Sequence, residues 1–243
     1  MCTLCFPALS RRRVLRLTAA FCGAAVFGRL PATAAAQTGG APNLPKEIVG
    51  VRIPDSDLAR GAAMLAQMES PQFLFNHCMR TFVLASLFAK TQGWKYDEEL
   101  VFVASALHDL GLLEKFDDPY KTFQHSGADY AETFVLKGGF TEDRAERVFK
   151  SILWHAGEVA NTEVPDILWV QTGAGMDVFG RPYVADMPQD QFQGVLAALP
   201  RLAFKQAFLA LMTAHVARSR HPGFTKGFTE HPPKNFLTNR WPE

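Results

Sequence analysis

An all-α helical bundle is the fold this sequence predicts, and three features predict it. Helix-starting and helix-stopping residues follow one another along the chain, strand-like alternation is almost absent, and no internal repeat interrupts the pattern. Residues 37–54 are rich in glycine and proline and read as a linker or extended arm. Asp55 is placed to cap a helix running to about residue 68. Ser70-Pro71 joins an N-cap residue to a proline at the first helical position, and the helix it opens should run to Gly93. Asp97-Glu98-Glu99 sets acids at the positive end of a third helix, which Gly111 stops. A fourth spans about 122–137 and ends on Gly138-Gly139. Thr141 caps a fifth, with Glu142 and Asp143 in its first turn, reaching about residue 155. Residues 158–189 read as loop-rich with one short helix near 165–171, and Pro200 opens a last long helix over 201–218. The bundle thus occupies 55–222. A tail, 223–243, carries Pro232-Pro233 and Trp241 and either packs back on the domain or serves as a contact arm.

Residues 1–36 read as an export address, outside the fold. Ser10-Arg11-Arg12-Arg13-Val14-Leu15-Arg16 matches the twin-arginine pattern, and the apolar stretch 17–27 is too short to span a bilayer. Ala34-Ala35-Ala36 supplies small residues for cleavage, which makes Gln37 the new N-terminus. The expected location is the periplasm, or another exported compartment, with no stable membrane anchor. Five of the 25 basic residues (Arg11, Arg12, Arg13, Arg16, Arg29) and none of the 24 acids lie in that segment. The mature chain therefore has 20 basic against 24 acidic residues, a net charge of −4. That balance gives no nucleic-acid surface. Cys2, Cys5 and Cys22 leave with the signal, so Cys78 has no partner for an intramolecular disulfide.

Four side chains are the candidate metal ligands: His77, the dipeptide His108-Asp109, and Asp177. The run from Ala104 to Leu112 sets a histidine and an acid inside a hydrophobic segment. Burying a carboxylate costs several kcal/mol unless a cation or strong donors compensate it. Asp109 also falls near a helix C-terminus, where the macrodipole disfavours an anion by roughly 0.3–1 kcal/mol. A divalent metal removes both conflicts; a salt bridge to Arg80 or Lys115 is the alternative. His77 shares a helix face with Arg80 and Thr81 among Phe73, Leu74 and Leu84, so its imidazole points into an apolar interior. Asp177 follows Gly173-Ala174-Gly175-Met176, where glycines bring backbone close to whatever the acid addresses, although an Asx-turn explains the pattern equally well. Two imidazoles and two carboxylates suit Zn²⁺ best, with Fe²⁺ or Mn²⁺ as alternatives, and are too nitrogen-rich for calcium. Of the other candidates, His215 reads as a hydrogen-bonded helix residue and Asp117-Asp118 as a solvated loop pair. Trp154, Trp169 and Phe179 read as pocket wall or core.

The order His…His-Asp…Asp on consecutive helices resembles the HD superfamily of metal-dependent hydrolases, and within it the cyanamide hydratase-like branch. Phe75-Asn76-His77-Cys78-Met79-Arg80-Thr81, Tyr96-Asp97-Glu98-Glu99-Leu100, Leu107-His108-Asp109-Leu110-Gly111-Leu112 and Gly173-Ala174-Gly175-Met176-Asp177-Val178 carry the likeness. It implies an HD-domain helical bundle with metal ligands His77, His108, Asp109 and Asp177. One segment departs from the branch: Phe123-Gln124-His125-Ser126-Gly127-Ala128 stands where Phe-Glu-Val-Asp-Gly-Ala is usual. His125, and His155 in Ile152-Leu153-Trp154-His155, are similar to the extra histidines of two-metal HD phosphohydrolases. That similarity implies a second ion or a substrate contact.

The chemistry expected from this set is a metal-activated water adding to a small nitrile- or cyanamide-like substrate. Asp109 would both ligate and accept a proton, His155 would donate one, and Arg80 or His125 would orient the substrate. A phosphohydrolase acting on a monoester or nucleotide is the first alternative, with few basic residues near the motifs to serve it. A non-catalytic HD-scaffold binding module is the second. Nothing in the sequence reports the oligomeric state.

Overall fold

The computed structural model describes residues 44–157, 165–180 and 182–243, and among them α-helices form the framework apart from one short hairpin. The expected export signal, its expected cleavage site and the first seven residues of the expected linker lie outside the described residues. The rest of that linker is part of the fold. β1 (Glu47–Ile48) and β2 (Val51–Arg52) pair antiparallel around Val49-Gly50, both at positive φ as a tight hairpin turn requires, and Ile48 and Val51 are buried.

α1 (Asp57–Glu69) is capped by Ser56, whose hydroxyl accepts the Ala59 N–H, one residue beyond the expected cap. Ser70 does not cap the next helix; its N–H closes α1 on the Ala66 carbonyl. α2 (Gln72–Gln92) ends on Gly93 in the left-handed conformation. Every residue from Leu74 to Leu87 is buried, so α2 is wrapped on all sides and forms the axis of the molecule. Around it lie α3 (Glu98–Leu107), α6 (Pro165–Phe179) and α9 (Phe204–Arg218), with α4 (Phe123–Lys137) and α5 (Glu142–Leu153) paired against α3 and α6. Asp97, Thr122 and Thr141 cap α3, α4 and α5 through their side chains, as expected.

Three departures from the expected boundaries shape the interior. α3 stops at Leu107, so Asp109 has left the helix at φ −102°, ψ 6° before a single 3₁₀ turn over Leu110–Leu112. Gly111 allows that turn to press against α4, because a Cβ there would sit 1.9 Å from the Phe123 carbonyl oxygen. α6 is a helix of 15 residues where a short helix near 165–171 followed by loop was expected. Its Gly173 is a packing residue: a Cβ would lie 2.0 Å from the Thr81 carbonyl oxygen, so glycine is what lets α6 approach α2. α9 begins at Phe204, three residues late, because Leu202 and Ala203 adopt φ of 57° and 56° and break the helix from Arg201.

α7 (Pro182–Asp186), α8 (Gln189–Ala198), α10 (Phe224–Glu230) and α11 (Lys234–Thr238) were not anticipated. The tail packs back on the domain, with Phe228, Phe236 and Trp241 buried. Among the described residues no helix is long and apolar enough to cross a membrane.

Candidate metal centre and its cavity

His77 projects from the middle of α2, His108 and Asp109 from the end of α3, and His155 from just past α5; all four are buried. Each of the three imidazoles has its Nδ1 tied to an oxygen. His77 Nδ1 lies 2.7 Å from Asp177 Oδ2, His108 Nδ1 lies 2.8 Å from the Ser105 carbonyl, and His155 Nδ1 lies 2.6 Å from the Ile152 carbonyl. A carbonyl or carboxylate oxygen can only accept, so each Nδ1 carries the hydrogen and each neutral ring turns an Nε2 lone pair inward.

Those lone pairs converge on an anion. His77 Nε2 and His108 Nε2 are 3.3 Å apart, and each is 3.4 Å from Asp109 Oδ2; His155 Nε2 is 3.4 Å from Asp109 Oδ1. Asp109 Oδ2 is buried without a hydrogen-bond partner. Acceptors facing an acceptor repel unless a cation sits among them, and the three atoms have the spacing one requires. The centre of a near-equilateral triangle with these sides lies about 2 Å from each corner, a Zn–N or Zn–O bond length. His77, His108 and Asp109 therefore form a cluster able to hold a metal ion. The set leaves a fourth position open, as in catalytic rather than structural zinc sites.

Burial pushes His108 down to about 3, so it is neutral near pH 7. Burial opposes the charge on Asp109, but His108, then the His155 contact and His77, outweigh it and hold the carboxyl well below the ordinary carboxylate range.

Asp177 is not the fourth corner. It lies behind His77, on the Nδ1 side, and both of its oxygens are engaged. Arg80 donates Nε to Oδ1 at 2.7 Å and Nη2 to Oδ2 at 2.9 Å, and Arg201 donates Nη1 to Oδ1 at 2.9 Å. Burial works against its charge, and Arg80, Arg201 and His77 together overcome that and hold it far below the usual range. A carboxylate on the outer nitrogen of a ligating histidine fixes ring orientation and raises donor strength. Arg80 likewise does not face a substrate. Its guanidinium is fully buried, with the forked contact to Asp177 and further bonds to the Leu199 and Pro200 carbonyls. Arg201, expected inside a helix, is instead the second cation on Asp177, and its guanidinium lies 4.4 Å over the Phe204 ring.

His125 is not brought to the cluster. It lies on the outer side of α4, nearly half exposed, 3.6 Å from Asp129 one turn on and edge-on to Phe149. Asp117 departs from expectation in the other direction. Its side chain is buried, receives Arg218 Nε at 2.9 Å, and lies 3.5 Å from His215, while Asp118 caps the Tyr120 N–H. His215 is the hydrogen-bonded helix residue expected, bound to Thr225 Oγ1 at 3.0 Å. Trp169 packs with Trp94 and Tyr96, Trp154 is exposed, and Phe179 alone of the three aromatic candidates reaches the cavity.

That cavity, about 270 Å³, opens directly onto His77, His108, Asp109 and His155. Phe123, Phe179, Phe208, Met212, Phe224 and Phe228 are the large apolar side chains of its wall, and no described residue lining it is a lysine or arginine. Gln171, another lining residue, donates its amide to the Trp154 and Gly157 carbonyls, and Gln124 donates to the Ala156 carbonyl. The two glutamines pin the turn that carries His155. Sequence reasoning missed Gln171, Arg201 and the tail phenylalanines Phe224 and Phe228. Phe224 and Phe228, four residues apart, were the one readable signal, since that spacing puts both on one face of a helix.

No family model matches the chain. Among curated proteins it is similar to cyanamide hydratase DDI2 and cyanamide hydratase DDI3 of Saccharomyces cerevisiae. Each is 27% identical over 117 residues, which is 46% of this chain and 52% of the relative. The chain thus spans about half the length of the curated relatives it matches.

Proposed function

We propose that this protein is a metal-dependent hydratase of the HD type, adding water to the carbon–nitrogen triple bond of a small molecule. One observation carries the reading: two inward Nε2 lone pairs meet an unpartnered Asp109 oxygen, with a third imidazole beside the other oxygen, at the wall of a small, mostly apolar cavity. Similarity to two cyanamide hydratases supports the choice of reaction. The N₂O donor set favours Zn²⁺, with Fe²⁺ and Mn²⁺ as the competing ions. When bound, such an ion supplies Lewis-acid polarisation and acidifies water at its open position.

The chain's own groups divide the remaining work. His77 and His108 are held as neutral Nε2 donors by Asp177 and the Ser105 carbonyl. His155 can exchange a proton only at Nε2, because its Nδ1 is committed to the Ile152 carbonyl. That Nε2 faces both the cavity and Asp109 Oδ1, so Asp109, the base, takes a proton from the incoming water and passes it to His155 Nε2, which delivers it to the developing nitrogen anion. Phenylalanine walls exclude bulk water and strengthen each of these charges. Gln171 and Gln124 keep His155 in register.

A phosphohydrolase would need cations for its substrate's charge, and the described lining residues offer none. The two arginines nearest the site are both spent on Asp177. Export through the twin-arginine route is proposed from the Ser10–Arg16 pattern. Metal analysis of the purified protein, with cyanamide, simple nitriles and nucleoside monophosphates as substrates, tests the function. A stoichiometric metal lost in His108→Ala, and urea or amide as product, are expected. Phosphate release without amide formation would overturn the hydratase reading.

A further inference from the structure

We propose that the physiological substrate is larger and more apolar than cyanamide: a nitrile, R–C≡N, in which R is an aromatic ring or a branched alkyl group of about six carbons. The inference rests on the hydratase reading and narrows it. The cavity of about 270 Å³ has its polar groups gathered at one end, where His77, His108, Asp109 and His155 lie. Its other walls come from four helices, of which α6 contributes Ala174, Val178 and Phe179. α4 contributes Phe123, α9 contributes Phe208 and Met212 on successive turns, and α10 contributes Phe224 and Phe228 on successive turns.

Size and polarity both argue against a three-heavy-atom polar substrate. An apolar cavity of roughly 150 Å³ already accommodates a benzene molecule. Cyanamide would leave most of this space to water, and phenylalanine and methionine walls give water no hydrogen bonds. The one further polar side chain in the lining, Gln171, has its amide N–H groups committed to the Trp154 and Gly157 carbonyls. A ring or branched chain fills the apolar end and, by lying there, aims the C≡N carbon at the metal-binding end. The reaction balances with water alone. The water oxygen bonds to carbon, the carbon–nitrogen triple bond becomes a single bond beside a new C=O, and both water protons finish on nitrogen, giving R–C(=O)NH₂.

The test uses the full-length, metal-loaded protein with benzonitrile and cyanamide as substrates, and calorimetric titration with benzamide and acetamide as product probes. The expected results are a kcat/KM for benzonitrile at least ten-fold above that for cyanamide, and benzamide binding at least ten-fold tighter than acetamide. Ala174→Leu, which pushes three carbons into the cavity from α6, should abolish the difference between the two amides. Equal binding of both amides by the wild type, or a kcat/KM for cyanamide that matches benzonitrile, would overturn the apolar-tail inference and leave the hydratase reading standing. Preferential benzamide binding with turnover of neither nitrile would uphold the cavity's preference and overturn the hydratase reading.

Discussion

Replacing Asp177 by asparagine isolates the electrostatic support behind His77. The carboxylate receives four short contacts, Arg80 Nε and Arg201 Nη1 on Oδ1, and Arg80 Nη2 and His77 Nδ1 on Oδ2, at 2.7–2.9 Å. Asparagine preserves the shape and one acceptor. Its NH₂ then faces two donors, Arg80 Nη2 and His77 Nδ1, so two of the four contacts become repulsive. Hydrogen bonds to charged groups contribute about 1.5–3 kcal/mol each, and stripping one partner from a buried ion pair costs about 3–5 kcal/mol. The two routes agree on a loss of about 3–5 kcal/mol, to be read from the urea midpoint at unchanged slope. Without its acceptor, His77 is also free to move its hydrogen to Nε2 and cease to be a donor. Loss of such an outer contact lowers metal affinity about 10–100-fold. A stability loss below about 1 kcal/mol, or undiminished metal affinity, would refute the reasoning. Complete loss of metal at full stability would show that Asp177 ligates the ion directly.

Four other outcomes follow from the same geometry. His155→Gln should lower kcat by about 10²–10⁴ with metal content unchanged, because His155 stands outside the three-atom donor set; elemental analysis alongside kinetics checks both halves. In metal-free protein, His108 is neutral when folded down to about pH 3 but takes up a proton when unfolded below about pH 6.5. Unfolding therefore binds protons in that window, so stability is full above it and falls on the order of 1 kcal/mol per pH unit as pH drops, a slope that His108→Asn should flatten in denaturation series. Gly173→Ala drives a Cβ to 2.0 Å from the Thr81 carbonyl and should cost about 3 kcal/mol by urea unfolding. Trp241→Ala removes a buried ring stacked 4.7 Å from Phe192 and its bond to the Met176 carbonyl, for a loss of about 3–5 kcal/mol; an unchanged melting temperature would place the tail outside the domain.

Residues that are costly for local reasons were the ones legible in the sequence. His108-Asp109 inside an apolar run is expensive wherever it folds, and the caps at Asp97, Thr122 and Thr141 act within one turn of themselves. What failed depended on distant neighbours. Gly173 and Gly175 read as a loop because the reason for glycine at 173 is the Thr81 carbonyl, on another helix. Arg80 was matched to a substrate and Asp177 to a metal, when the two bind one another; sequence gives the reach of a side chain but not its partner. Asp117 read as solvated because Arg218 and His215, which bury it, lie about a hundred residues on. Arg201 was lost inside an expected helix, since no glycine marks the left-handed turn that follows it.

That turn couples the interior to the surface. Leu202 and Ala203 both sit at positive φ, at roughly 1 kcal/mol or more apiece for residues with a Cβ. Arg201, anchored on Asp177, immediately precedes this turn, while the Leu202 side chain stands half in solvent. Neutralising the anion beneath should let the turn shift, so a dye attached at position 202 would signal from outside the protein a change in charge at its centre.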